Sequence, residues 1–361
     1  MSPLARSAQG LGAPVARLAT VAAAVGVLAL VGGLLLGQAR PAVAALAASW
    51  LFFAGLSAGS VALAAAVRIA HGRWAAAVLP IAEASAGFFV PALVLLLILA
   101  IALGAVLPPG SGPHHALAAA RLIVSAGVVF AAGARSIALA RARRADPARV
   151  RTAAVGYVLV YAVGLSVWAF DLVIRLSEGP TFTVVPAYYF MGAFLSGLAW
   201  VALVAAIRDV SGPDLRHDLG KLLFAFIIVW SYLLWALYLP TWYGDVPEEV
   251  AVLLRRWSGP WRPLTAAVLI AVFAWPFWLL FSERFKRRRG TLAVGAATIL
   301  VGMWGERVLL VLPSLHLARG IAPALVCAGV ALGVAGTFLL AVGAGLGRAA
   351  SGAASHRATH G

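Results

Sequence analysis

Residues 42–67 read AVAALAASWLFFAGLSAGSVALAAAV, without one charged side chain. A helix rising about 1.5 Å per residue crosses a hydrocarbon core of about 30 Å in about 20 residues. The stretch is therefore long enough to span a bilayer, and Arg40-Pro41 before it and Arg68 after it mark its ends. Comparable runs recur at 18–38, 79–107, 116–140, 152–175, 183–207, 219–243, 262–282, 291–313 and 321–346. Pro108-Pro109-Gly110, Asp146-Pro147, Gly179-Pro180, Gly212-Pro213 and Gly259-Pro260 punctuate the connections. The longest connection, 244–261, is too short for a soluble domain, so residues 1–361 read as one integral membrane domain with tails at 1–17 and 347–361.

Composition agrees: 63% of the 361 residues are hydrophobic and 11% are Asp, Glu, Lys or Arg, against about 25% charged in a soluble domain. In lipid every backbone polar group must be paired internally, and the runs are too long for barrel strands. The predicted fold is an all-α polytopic membrane protein of about ten helices. Arg6 and Arg17 before the first span and Ala42-Val43-Ala44 after it resemble a signal peptide. The apolar stretch is longer than the usual signal core and Pro41 sits just before the cleavage-like site, so the span is expected to be retained.

The formal charge of +16 would suggest nucleic acid in a soluble protein; here it records topology. Nineteen of the 28 Lys and Arg fall in the N-terminus, the even-numbered connections and the C-terminal tail, and six in the odd-numbered connections. That asymmetry places both termini in the cytoplasm. The runs Arg141-Ala-Arg143-Arg144 and Lys286 to Arg289 read as anchors against anionic lipid, with no nucleic-acid role expected. A shift of 140 residues lays Val61-Ala62-Leu63, Arg68 and Gly72 on Val201-Ala202-Leu203, Arg208 and Gly212. It suggests repeat units 42–175 and 183–313, two four-helix bundles flanked by the first and last spans.

Cys327 is the single cysteine, and all seven histidines fall in connections, helix ends or the tail. Haem held between spans needs ligands at membrane depth, and an iron–sulfur cluster needs several thiolates. No haem or cluster is therefore expected in this chain.

Ionisable residues inside a span are costly and need a partner or a role. Glu306 and Arg307 lie in the ninth span, about 22 Å from its cytoplasmic start. As sequence neighbours they point to different helix faces, so each is expected to meet another helix. Asp171 lies near the outer end of the fifth span, Arg121 near the outer start of the fourth, and Tyr188 and Tyr189 begin the sixth. His316 follows the ninth. At shared depth these groups suit a pocket that hydrogen-bonds a quinol and accepts its protons: Asp171, Glu306 and His316 as acceptors, Arg121, Tyr188, Tyr189 and Arg307 as binding residues. The structural alternatives are an i, i+4 pair of Asp171 with Arg175 and an interfacial belt of tyrosines. Near the inner surface Glu83, His217, Asp218 and Lys221 are candidates for proton entry, or acids that complement helix N-termini.

Residues 218–249, DLGKLLFAFIIVWSYLLWALYLPTWYGDVPEE, followed by Arg256-Trp257, resemble the ActF-type membrane subunit of alternative complex III, a bacterial quinol:electron-acceptor oxidoreductase. Trp50-Leu-Phe-Phe-Ala-Gly-Leu-Ser, Trp168-Ala-Phe-Asp171 and Tyr189-Phe-Met-Gly-Ala-Phe-Leu-Ser extend the likeness over most of the chain. The family is similar to the NrfD and polysulfide-reductase membrane anchors. The resemblance implies ten helices in the bacterial inner membrane, quinone (menaquinone or ubiquinone), and no metal in this subunit. It also implies periplasmic iron–sulfur and haem c partners and a second NrfD-like subunit. It puts Asp171 on the family's fifth-helix aspartate and Tyr243, Asp245, Glu248 and Glu249 in its outer motif. After Asp171 the family continues with a Trp and Ser-Leu-Asp-Pro-His-Trp, whereas this chain reads Leu172-Val-Ile-Arg175-Leu-Ser-Glu-Gly-Pro180. The expected function is quinol binding or proton transfer in a respiratory complex, with a secondary transporter or an anchor without chemistry as alternatives.

Overall fold

The computed structural model describes residues 12–72, 76–106, 112–142, 145–177, 183–315 and 320–358. Among them ten helices are long and apolar enough to cross a membrane, and there is no strand. The chain is an all-α polytopic membrane protein. We number the spans α1 (Ala13–Leu35), α2 (Ala39–Ile69), α3 (Leu79–Gly104), α4 (His115–Ala140), α5 (Pro147–Ile174), α6 (Val185–Ile207), α7 (Pro213–Gly244), α8 (Trp261–Phe281), α9 (Arg289–Leu315) and α10 (Ile321–Gly347). α10 continues as helix to Ala358. Arginines cluster where α2, α4, α6 and α8 end and their successors begin.

Proline explains two of the departures from regular helix within the spans. Pro276 cannot donate a backbone hydrogen bond and its ring crowds the carbonyl four residues back, and the π-helical turn Ile270–Ala274 directly precedes its segment. Pro91 is likewise preceded by the 3₁₀ turn Ser85–Phe88. The π-helical turn Phe170–Ile174 at the end of α5 has no proline beside it, and it carries Asp171. α7 begins at Pro213, a turn and a half before its predicted start, because proline suits the first helical turn. The expected outer connection contains an unpredicted amphipathic helix, Pro247–Trp257, with Glu248 and Glu249 in its first turn and Arg255 and Arg256 in its last.

α2 is the centre, buried along nearly its whole length. α2, α3, α4 and α5 pack in sequence and α5 closes back on α2; α6, α7, α8 and α9 do the same. The two groups meet where α2 crosses α6, while α10 lies along α1, α2 and α3. Without a hydrophobic force between helices in lipid, close association needs small residues. A Cβ on Gly59 would overlap the carbonyl of Ala193, and one on Gly197 would overlap the backbone of Ser60. Gly26 of α1 and Gly333 of α10 meet backbone to backbone in the same way.

Candidate functional site

Glu306 of α9 is 3% exposed and Arg307 is 1% exposed. Contrary to the expectation that they point apart, Arg307 Nη1 lies 2.8 Å from Glu306 Oε2. The guanidinium, on a long stem, folds back over its own helix. The contact is electrostatic rather than an aligned hydrogen bond, because neither Glu306 oxygen nor Arg307 Nη1 has a hydrogen-bond partner. Arg307 Nη2 donates to the Tyr189 carbonyl at 3.2 Å, and the guanidinium stacks 4.4 Å from the Tyr189 ring centre. Gly192 makes the room: a Cβ there would lie 2.8 Å from Arg307 Nη2. The Tyr189 hydroxyl in turn donates to the Leu51 carbonyl at 2.9 Å, joining this cluster to α2.

Glu306 borders a partly open cavity of about 240 Å³ lined by α6, α7, α8, α9 and the end of the amphipathic helix. Its wall is aromatic: Tyr188, Trp230, Trp235, Tyr238 and Trp257. Tyr188 and Trp230 are buried and their rings lie 5.8 Å apart. Most hydroxyls around it are already engaged. Thr265 Oγ1 donates to the Arg256 carbonyl at 2.6 Å, Ser231 Oγ to the Ile228 carbonyl at 3.0 Å, and Tyr238 accepts from Trp257 Nε1 at 3.1 Å. The Trp230 indole N–H, by contrast, is buried without a partner, and Arg256 also borders the cavity. A carboxylate whose charge is met by Arg307 and which the Tyr188 hydroxyl approaches, beside a free indole N–H at one small cavity, suits a flat molecule with hydrogen-bonding oxygens. Two of the larger cavities, of about 790 and 500 Å³, are lined mainly by apolar residues of α2, α9 and α10; the second also has the unpartnered Trp200 indole N–H at its wall, but neither has a carboxylate.

The other candidates divide into separate groups. Asp171 is 4% exposed and meets Arg121 of α4, whose Nε donates to Oδ2 at 3.1 Å while Nη2 bonds Oδ1. This cross-helix grip occupies both oxygens, and it stands in place of the alternative i, i+4 pair with Arg175. Arg121 is therefore bound to the α4–α5 contact rather than to the Glu306 cavity. Tyr188 and Tyr189 are buried, so neither belongs to a lipid-facing belt; Tyr188 lines the cavity and Tyr189 sits behind Arg307. His316 lies outside the described residues.

At the arginine-rich end, Glu83 is clamped by Arg68 of α2 and by Arg141 Nε at 2.6 Å. It ties α2, α3 and α4 together rather than merely complementing a helix N-terminus. His217, Asp218 and Lys221 lie on α7, in the other helix group, with their own partners. His217 Nε2 is 3.9 Å from Glu283, and Lys221 is 2.9 Å from Asp218. The Glu283 carboxyl is held below its usual range by hydrogen bonds from Arg287, helped by the His217 charge. Burial pushes the Lys286 ammonium down, helped by Lys221. The four proton-entry candidates thus do not form one cluster.

Sequence reasoning missed Trp230, Tyr238, Arg256, Trp257 and Thr265. Arg256-Trp257 was visible only as part of a motif, and as topology-setting charge. A scan against protein-family models and a search of curated proteins found no match to the chain.

Proposed function

We propose that the chain is a membrane subunit of a quinol-oxidising complex in the bacterial inner membrane, as its resemblance to ActF-type subunits implies, with the quinol head group in the Glu306 cavity. The observation that carries this reading is the buried Glu306 carboxylate, paired in charge with Arg307 and approached by the Tyr188 hydroxyl, at the wall of an aromatic cavity. Oxidation of a quinol releases two electrons and two protons, and the electrons pass to the iron–sulfur and haem c centres of periplasmic partners. Glu306 accepts a proton from the quinol hydroxyl. Arg307 stabilises the carboxylate beforehand at 2.8 Å and holds it in place through Tyr189. Trp230 donates its free N–H to a quinol oxygen, and the surrounding rings exclude water. Asp171, with both oxygens on Arg121, acts only downstream, as a second acceptor. If both termini are cytoplasmic, as the charge asymmetry implies, Glu306 lies about 25 Å from the cytoplasmic start of α9 and about 14 Å from its other end, in the outer half of the bilayer.

The test is quinol-dependent acceptor reduction by the intact complex carrying Glu306→Gln. Assembly is expected to persist while turnover falls at least a hundredfold, within the range for loss of a general base. Full turnover in an assembled variant refutes the role of Glu306. Quinol-independent proton or solute flux through liposomes containing the chain alone would favour a transporter instead.

A further inference from the structure

Three arginines lie five or more residues from either end of a membrane span, Arg121, Arg135 and Arg307. Arg121 meets Asp171 and Arg307 meets Glu306. Arg135 makes no ion pair or hydrogen bond among the described residues. It lies five residues, about 8 Å, before the arginine-rich end of α4, and its side chain is exposed. At that depth a guanidinium without a counter-charge is unfavourable.

Arg135 opens onto a groove of about 650 Å³ between α4 and α5, lined also by Arg149, Ala132, Gly156, Tyr157 and Val160. Small residues create the space, and nothing lies within 4 Å of a Cβ built on Gly156. The groove's polar groups are concentrated at one end. Thr152 donates to the Ala148 carbonyl and Tyr157 to the Ala58 carbonyl, which leaves Arg135 without a partner and Arg149 with only a long, solvent-exposed ion pair. The carboxylate beside Arg149 is Asp146, an exposed helix cap 3.7 Å away. Glu83 is taken by Arg68 and Arg141. Along α5 the lining runs from Ala148 to Val160, about 18 Å at the rise of a helix, close to one leaflet of a core about 30 Å thick.

We propose that this groove is a specific site for one anionic diacyl phospholipid. Its phosphate lies between Arg135 and Arg149, and an acyl chain runs past Gly156 to Val160. The cationic end matches a phosphate, and the leaflet-length apolar remainder distinguishes a lipid from a free anion. The site is independent of the quinol reading.

The test is native mass spectrometry of the delipidated full chain with added phosphatidylglycerol, phosphatidylcholine or inorganic phosphate. One phosphatidylglycerol is expected to be retained in clear preference to phosphatidylcholine. Arg135→Gln with Arg149→Gln is expected to lower its affinity roughly thirtyfold, five- to sixfold per arginine at a membrane surface. Gly156→Leu, whose Cβ meets nothing within 4 Å, puts a side chain into the groove and is expected to block the lipid, while unchanged melting in phosphatidylcholine shows both variants folded. Equal retention of the two lipids, undiminished selectivity in either variant, or displacement by inorganic phosphate at matching concentration would overturn the proposal.

Discussion

Replacing Arg307 by methionine tests the arrangement behind Glu306 while keeping an unbranched stem in the packed space. The substitution removes a buried charged hydrogen bond to the Tyr189 carbonyl, worth about 1.5–3 kcal/mol. It also removes a desolvated cation–π contact with the Tyr189 ring, worth about 2 kcal/mol. Glu306 loses its charge partner at 2.8 Å. The sum agrees with the roughly 3–5 kcal/mol lost when one member of a buried ion pair is deleted. Reversible denaturation in mixed micelles measures it, and a double-mutant cycle with Glu306→Gln isolates the pair. If the two side chains act as a unit, Arg307→Met costs about 2 kcal/mol less when residue 306 is already neutral. A loss below about 1 kcal/mol in the single variant, or strict additivity in the double, refutes the coupling.

Gly59→Ala is expected to force α2 from the Ala193 carbonyl and to destabilise by about 1–3 kcal/mol as overpacking does. Gly127→Ala meets nothing within 4 Å and is expected to be neutral or stabilising by up to about 1 kcal/mol; denaturation midpoints compare the two. The Glu283 carboxyl is depressed in the folded state, chiefly by hydrogen bonds from Arg287. Its contribution is therefore present above the unfolded value of 4.5 and lost as pH falls through the lower folded one. A melting difference between wild type and Glu283→Gln at pH 6 that shrinks progressively as pH falls below 4.5 is the expected outcome, and a difference that stays constant contradicts the linkage. Trp230→Phe removes an indole N–H that has no protein partner, so stability is expected to hold. Affinity for a quinol analogue is expected to weaken about tenfold, measured by fluorescence titration of the purified complex.

Spans were readable because each is a property of about 20 consecutive residues and of a solvent that forbids unpaired backbone. The interfacial helix Pro247–Trp257 was overlooked although its signals were present: proline at the start, acids in the first turn and arginines in the last. Pro276 announced the widened turn before it, whereas nothing in the residues around Asp171 announced the π turn of α5. Lateral neighbours were harder to read. In lipid an apolar side chain is at home on either face of its helix, so hydrophobic patterning says little about which helix lies beside which. The few charges inside spans carry most of that information. The requirement for a counter-charge says that a partner exists, but not that Asp171 finds it fifty residues away on α4, or that Glu306 finds it in the adjacent Arg307. Applied to Arg135, the same requirement is not met by any described side chain. Its position 8 Å below the helix end, over a groove one leaflet long, turns the missing partner from the protein towards the bilayer.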